Sequence, residues 1–348
     1  MQSLNKDHTG EKHTMMELVT GGSGSGKSAY AESAVCRLHG LLCRKTGERT
    51  PLYYIADMVP YGRETEEKIA NHRRMRAGKG FRTLEWYQDL SGKLIQEGSP
   101  SMENACVLLE CVSNLTANEM YMEGGAGERT VEAVVRGVGL LKKKCRHLVV
   151  VTNDVFAESV PDSPEMTAYK QNLARISLAL AEAADQVTEV VYGIPVCLKG
   201  SAADQENAAE NSRRAQERGK GRTSMKLITG GAYQGKLEYA KKIYPGAEWT
   251  DGAECPLQAV TECGAMYNFQ TFVRRWLKAG MTKEGLIREI LEKNMQMIIV
   301  CDEIGCGLVP VDAFEREYRE AVGRICSVLA GEAERVDRVV CGIGTRIK

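Results

Sequence analysis

The 348-residue chain has twelve cysteines but no Cys-x-x-Cys pair, and only five histidines. Its nearest cysteine spacings, Cys106/Cys111 and Cys301/Cys306, match no structural zinc pattern, so a zinc site is not expected. Net charge is absent as well. Forty-six Lys and Arg balance forty-six Asp and Glu, which leaves no excess of basic charge to draw nucleic acid or an acidic membrane surface. No apolar run is long enough to span a bilayer. Residues 1–15 are polar without an apolar stretch, so no export signal is expected, and free thiols in a reducing cytoplasm follow. What is present, 43% hydrophobic and 26% charged residues, describes an ordinary globular protein.

The chain repeats itself. "MELVTGGSGSGKSAYA" (16–31) matches "MKLITGGAYQGKLEYA" (225–240) at an offset of 209. Residues 149–199 align without a gap on 298–348 at an offset of 149, with fifteen identities in fifty-one positions. The drop from 209 to 149 means that the second copy lacks 60 residues between the two matches. Glu110-Cys111 answering Glu262-Cys263, at an offset of 152, would place nearly all of that loss before Glu110. The polar stretch 200–224, with no aromatic and no β-branched residue except Thr223, reads as a linker. The expected organisation is a tail (1–15), a complete unit (16–199), a linker (200–224) and a shortened unit (225–348).

Short apolar strands ("MELVT", "PLYYIA", "ACVLLEC", "HLVVVTN") alternate with helical or loop segments. Such alternation predicts an α/β fold with a mainly parallel sheet covered by helices on both faces. "EVVYGIPVCLK" predicts a closing hairpin around Gly193 and Pro195.

Gly21-x-x-x-x-Gly26-Lys27-Ser28 follows a strand and opens a helix, the setting a phosphate-binding loop requires. Across Gly21, Gly22, Ser23, Gly24, Ser25 and Gly26, backbone N–H groups can converge on phosphate oxygens without side chains in the way. Lys27 would reach the β- and γ-phosphates, and the Ser28 hydroxyl would ligate Mg²⁺. Glu110 and Asp154, each after an apolar strand, are the acidic candidates for the cation or its water, with a helix cap or strand-end turn as an equal account of Asp154. The loop points to a nucleoside triphosphate, not to a reaction. "KIANHRRMRAGKGFRTLEW" (68–86) sets His72 among Arg73, Arg74, Arg76, Lys79 and Arg82. On composition this reads first as a solvated basic helix face. The sharper reading is a histidine nucleophile whose neighbouring guanidiniums stabilise phosphoryl charge.

Taken in order, "VTGGSGSGKS", "YYIADM", "IANHRRMRAGKGFRTLE", "LLECVSNLTAN" and "VVVTNDVFAESVP…ARISLALAEAADQV" resemble the bifunctional adenosylcobinamide kinase/adenosylcobinamide-phosphate guanylyltransferase family. The resemblance covers residues 16–199. It implies a RecA-like P-loop NTPase fold and two reactions: phosphorylation of adenosylcobinamide by ATP or GTP, then GMP transfer from GTP through a guanylyl-histidine to adenosylcobinamide phosphate. Carried over by motif, His72 is the guanylylated residue. Ala56, Asp57, Met58, Arg73, Arg74, Met75, Arg76, Glu85 and Glu110 are nucleotide contacts beside the 21–28 loop. The family more often has Thr where this chain has Asp57, and Lys where it has Arg73. A homo-oligomer, a trimer by resemblance, is also implied.

The second unit has no histidine, and Leu237 stands where Ser28 stands in the first. It is expected to be inactive, a scaffold or auxiliary binding site in which Lys236 and the loop backbone can still hold a phosphate or nucleotide and Asp302 and Glu303 can bind a metal weakly, with residues 267–280 as a core or interface helix. A fragment ending at Lys199 is expected to be soluble and partly active. Kinase chemistry without guanylyl transfer, or a nucleotide-binding regulatory or scaffold role, are the alternatives.

Overall fold

The computed structural model describes residues 14–60, 62–156, 163–200, 224–307, 310 and 312–348. The expected tail and linker lie almost wholly outside the described residues. The chain folds into two compact bodies. Body 1 holds the residues up to Leu18, Ala31–Val151 and Gln171–Asp185. Body 2 holds Val19–Tyr30, Thr152–Lys170 and Gln186–Lys348, so the first phosphate loop belongs to the same body as the second copy.

Seven strands make the first sheet: β1 (Met15–Thr20), β2 (Leu52–Ala56), β3 (Arg82–Glu85), β4 (Cys106–Glu110), β5 (His147–Val151), β6 (Gln186–Val191) and β7 (Ile194–Lys199). Their order is β3-β2-β4-β5-β1-β6-β7. The helices between them are α1 (Lys27–Thr46), α2 (Gly62–Arg76), α3 (Leu90–Ile95), α4 (Val112–Tyr121), α5 (Thr130–Lys144) and α6 (Pro164–Ala183). All five residues of β4 are buried. That is why it reads as a continuous apolar run rather than an alternating one, as parallel strands covered on both faces do.

In body 1, β2 pairs in parallel with both β3 and β4, and β4 pairs in parallel with β5. From β2 the chain steps outward to β3 through α2; from β4 it steps the other way to β5 through α4 and α5. Right-handed crossovers then put α2 and α4–α5 on opposite faces. The carboxyl ends of β2 and β4 therefore flank a switch point, where open α/β sheets bind ligands.

In body 2, β6 and β7 form the expected hairpin, but its turn is Tyr192-Gly193, both left-handed at φ 47° and 80°. Pro195 lies within β7, opposite Val190. β7 is an edge strand, where a missing N–H is tolerated. The second sheet holds β8 (Lys226–Gly230), β9 (Trp249–Asp251), β10 (Ala265–Tyr267), β11 (Ile298–Asp302), β12 (Arg335–Val340) and β13 (Ile343–Arg346), in the order β13-β12-β8-β11-β10-β9. Its helices are α7 (Lys236–Ile243), α8 (Phe269–Lys278), α9 (Lys283–Lys293) and α10 (Ala313–Glu332). Phe269, Phe272 and Trp276 of α8 are buried in one core with Leu286 and Ile290 of α9, so the 267–280 segment is a core helix as expected.

The two sheets match strand for strand once β3 is set aside. α10 and β12 follow α6 and β6 at an offset of 149, whereas α8 follows α4 at 157. The register agrees: Leu109 pairs Val150 as Met266 pairs Ile299, and Val150 and Ile299 are 149 apart. This corrects the Glu110-Cys111/Glu262-Cys263 pairing. Glu262 closes a short 3-10 turn before β10, and Glu110 corresponds to Tyr267. Across β2 and β9, Ile55 pairs Leu109 as Thr250 pairs Met266, an offset of 195. Most of the lost residues thus lie between β9 and β10, where the first copy has α2, β3 and α3. The helix that carries His72 has no counterpart.

Candidate functional site

In body 1 the candidate side chains gather at the carboxyl ends of β2 and β4. Glu110 closes β4 and is buried; Tyr54 Oη of β2 donates to its Oε2 at 3.1 Å. His72, on the last turn of α2, brings Nδ1 to 3.7 Å from the same Oε2. The Arg76 guanidinium, also buried, lies 3.4 Å from the centroid of the Tyr54 ring. The aromatic face offsets part of the cost of burying this cation, whose Nη1 has no hydrogen-bond partner among the described residues. Asp57, just past β2, is fully buried, and its Oδ1 accepts the Cys111 N–H at 2.7 Å. Burial first, and then the Glu110 charge, hold the Asp57 carboxyl well above the usual carboxylate range. Asn118 of α4 donates to the carbonyls of Asp57 and Tyr87, both at 2.8 Å, and ties the two walls together.

Arg73 and Glu85 pair at 2.8 Å, with Tyr87 Oη on Glu85 at 3.3 Å. Both charges are largely exposed, so this pair orients groups more than it stabilises the fold. Ala56 and Met58 flank Asp57, half-buried, and Arg74 is exposed on α2. The Met75 side chain lies outside the described residues. Lys79 pairs with the buried Glu32 of α1 at 2.6 Å.

In body 2 the loop runs from β1 to α1 with Gly21, Gly24 and Gly26 at φ 152°, 71° and 89°. Ser25 N–H and Lys27 Nζ both reach the Gly22 carbonyl, at 3.2 and 3.0 Å, closing the loop on itself. Ser28 is half-buried at the first turn of α1. Asp154 follows β5; its N–H donates to Gly21 O at 3.2 Å, and its Oδ1 accepts from Phe156 N–H at 3.1 Å. The strand-end turn suggested by the sequence is therefore present at Asp154.

The second loop keeps this frame. Gly230 and Gly235 have φ 148° and 76°, and Lys236 Nζ reaches Gly231 O at 2.6 Å. Lys236 also forms a 2.6 Å ion pair with Asp302 at the end of β11. Gln270 holds the other Asp302 oxygen at 2.9 Å. A cavity of about 350 Å³ opens here, lined by Tyr233, Gln234, Lys236, Tyr267, Asn268 and Asp302. The Asp302 carboxylate is thus committed to lysine and amide. Burial raises the Glu303 carboxyl against the partly offsetting charge of Arg338. Among the described residues no cluster of three His, Cys, Asp or Glu side chains could hold a metal ion.

Reading the sequence missed Tyr54, Asn118, Glu189 and Arg338. Tyr54 and Asn118 sit inside quoted motifs, yet their roles depend on neighbouring strands and helices. Arg338 and Glu189 form a two-pronged pair, one bond at 2.7 Å. They occupy equivalent positions, 149 apart, in the two copies.

A family model described as cobinamide kinase / cobinamide phosphate guanyltransferase matches residues 17–198 and again 261–347, more than half of the chain. The Escherichia coli (strain K12) bifunctional adenosylcobalamin biosynthesis protein CobU is 32% identical over 196 residues, 53% of this chain and 100% of that protein. The Salmonella typhimurium protein of the same name is 29% identical over the same shares. Pseudomonas aeruginosa CobP is 29% identical over 189 residues, 98% of its length. A KaiC-like protein from Pyrococcus horikoshii superposes with a TM-score of 0.30 at 11% identity over 50% of this chain and 70% of its own, too slight a likeness to bear on the fold. The chain belongs to the cobinamide kinase / cobinamide phosphate guanyltransferase family.

Proposed function

We propose that residues 16–199 phosphorylate adenosylcobinamide with a nucleoside triphosphate and then transfer GMP from GTP to the product through His72, and that residues 225–348 carry no chemistry. The observation that carries this reading is the approach of His72 to Glu110 beside Arg73 and Arg76, in a chain of this family. Glu110 on the Nδ1 side of the ring favours the tautomer with its proton on that nitrogen, which leaves the Nε2 lone pair for attack. Nε2 attacks the α-phosphorus of GTP: the N–P bond forms as the bond to the bridging oxygen breaks, and pyrophosphate leaves. A phosphate oxygen of adenosylcobinamide phosphate then attacks the same phosphorus and returns the N–P electron pair to the ring. Arg73, Arg74 and Arg76 stabilise phosphoryl charge, Glu85 orients Arg73, and Ala56, Asp57, Met58 and Met75 border the nucleotide.

In the kinase step the loop at Gly21–Ser28 and the Lys27 ammonium cradle the β- and γ-phosphates, with the Ser23 and Ser25 amides bonded instead to Gly305 and Gly22. The Ser28 hydroxyl and the Asp154 carboxylate are hard oxygen donors that fit Mg²⁺, which keeps most of its shell as water and phosphate. The cation would neutralise charge developing between the β- and γ-phosphates.

Leu178, 72% exposed at the position Ser327 holds in the second copy, supports a homo-oligomer in which another chain covers it. Twelve unlinked cysteines support a reducing compartment such as the cytoplasm.

The test is incubation with α-labelled GTP and Mg²⁺. The expected product is protein carrying acid-labile, base-stable label that His72→Ala abolishes. No label, or label that survives His72→Ala, sinks the guanylyl step and leaves a kinase. Absence of adenosylcobinamide phosphorylation as well leaves a nucleotide-binding scaffold.

A further inference from the structure

The first phosphate loop is held on its outer edge by residues of the shortened copy, all within body 2. Ser23 N–H donates to Gly305 O at 2.8 Å, and Ser327 Oγ of α10 donates to Gly24 O at 3.1 Å. Gly307 N–H reaches Asp154 O at 3.3 Å, which extends the contact to the other flank of the phosphate site. The approach needs glycine on both sides. A Cβ on Gly22 would lie 2.7 Å from the Gly305 carbonyl carbon; one on Gly24 would lie 3.0 Å from the α-carbon of Gly323. A Cβ on Gly323 would lie 2.7 Å from Ser23 O. The Arg338–Glu189 pair anchors the same contact between β12 and β6.

Peptide planarity decides which side of the loop is engaged. In a trans peptide, C=O and N–H point in opposite directions. The Gly22–Ser23 peptide turns its carbonyl inward, where it accepts from Ser25 and Lys27, and its N–H outward to Gly305. The Gly24–Ser25 peptide turns its carbonyl outward to Ser327 and its N–H inward to Gly22. Both bonds to the second copy are therefore on the side of the loop away from the Gly22 carbonyl, the Ser25 N–H and Lys27 Nζ.

We propose that the shortened copy is an intramolecular brace for the complete phosphate loop, with Gly305, Gly323 and Ser327 as positioning residues for nucleotide binding at a loop in the other copy. A glycine-rich loop loses much backbone freedom on closing around a ligand. The brace holds it in its closed form beforehand, so that less of the binding energy goes into ordering it. This inference rests on the reading of residues 21–28 as the nucleotide site, and on no part of the cobinamide chemistry.

The test is titration of the full-length protein with a fluorescent GTP analogue and Mg²⁺, with melting temperature measured in parallel. Gly323→Ala drives a methyl into the loop backbone while gaining helix propensity, so it is expected to fold and to weaken binding about tenfold. Ser327→Ala should weaken binding about threefold, and Ser327→Thr, which keeps the hydroxyl, should restore it. Unchanged affinity in folded Gly323→Ala and Ser327→Ala overturns the brace. Tighter binding overturns it too, because the contact would then be a plug. Wild-type protein that binds no nucleotide overturns both the brace and the assignment of the loop.

Discussion

The two phosphate loops share a backbone and differ in the residues at two matching positions, Asp302 for Asn153 and Leu237 for Ser28. Their first glycines sit at φ 152° and 148°, and each lysine reaches back to a loop carbonyl. At the position 149 residues after Asn153, however, the second copy has Asp302, and its carboxylate lies 2.6 Å from Lys236. A buried ammonium already paired with a carboxylate has little left to offer a phosphate. Leu237 also stands where the first loop has the Ser28 hydroxyl, the proposed cation ligand. The second loop has kept its glycine geometry while its lysine is paired with Asp302, which teaches that glycine spacing alone does not fix the chemistry of the side chains it carries.

The largest expected effect tests that contrast directly. Lys27→Ala should cut kinase and guanylyl transfer by about a hundredfold or more, the scale of losing one transition-state donor. Lys236→Ala should leave both within about twofold. Steady-state rates of the two variants check this, and equal losses would show that the second loop takes part in turnover. Next is stability. Val191, Tyr192 and Ile194 of the first copy share one core with α8, α9 and α10. Phe272→Ala within that core should cost about 3–5 kcal/mol, read as a shifted denaturant midpoint with accompanying loss of nucleotide affinity. By the same argument, a fragment ending at Lys199 exposes those three side chains. It is now expected to aggregate rather than to stay soluble, and a well-behaved active fragment would separate the copies again.

Asp302→Asn sharpens the comparison by releasing Lys236. Equilibrium dialysis should then show a second, weaker nucleotide per chain, bound without need of Mg²⁺, where wild type binds one. No gain would mean that Leu237 or the cavity shape also closes the site. The smallest effect is at Asp57. Its carboxyl is raised in the folded protein, so the folded state holds the proton more tightly, and stability falls as pH rises above the ordinary carboxyl range. Asp57→Asn, whose oxygen can still accept the Cys111 N–H, should raise the melting temperature by about 2 °C near neutral pH. That gain should vanish as pH drops below about 4. A gain constant across pH would show that the carboxyl is not the cause.

Much of this was legible in the residues. "LYYIA", "CVLLE" and "HLVVV" are strands because burial on both faces leaves continuous apolar runs. The loop was legible because its chemistry is local. The hairpin turn was placed within two residues, since left-handed Tyr192 is less visible in sequence than Pro195. The Glu262-Cys263 pairing failed because a dipeptide carries no register, and register became readable only through the partners of β4 and β10. Tyr54 over Glu110, and Arg338 on Glu189, join residues 56 and 149 apart, and no periodicity encodes such contacts.

The bond from Ser23 N–H to Gly305 O has a consequence in time as well as in space. An amide donated to another segment exchanges its hydrogen with solvent only when the bond opens. The Ser23 amide therefore reports, from inside the complete loop, the opening of its bond to a segment 282 residues further along the chain.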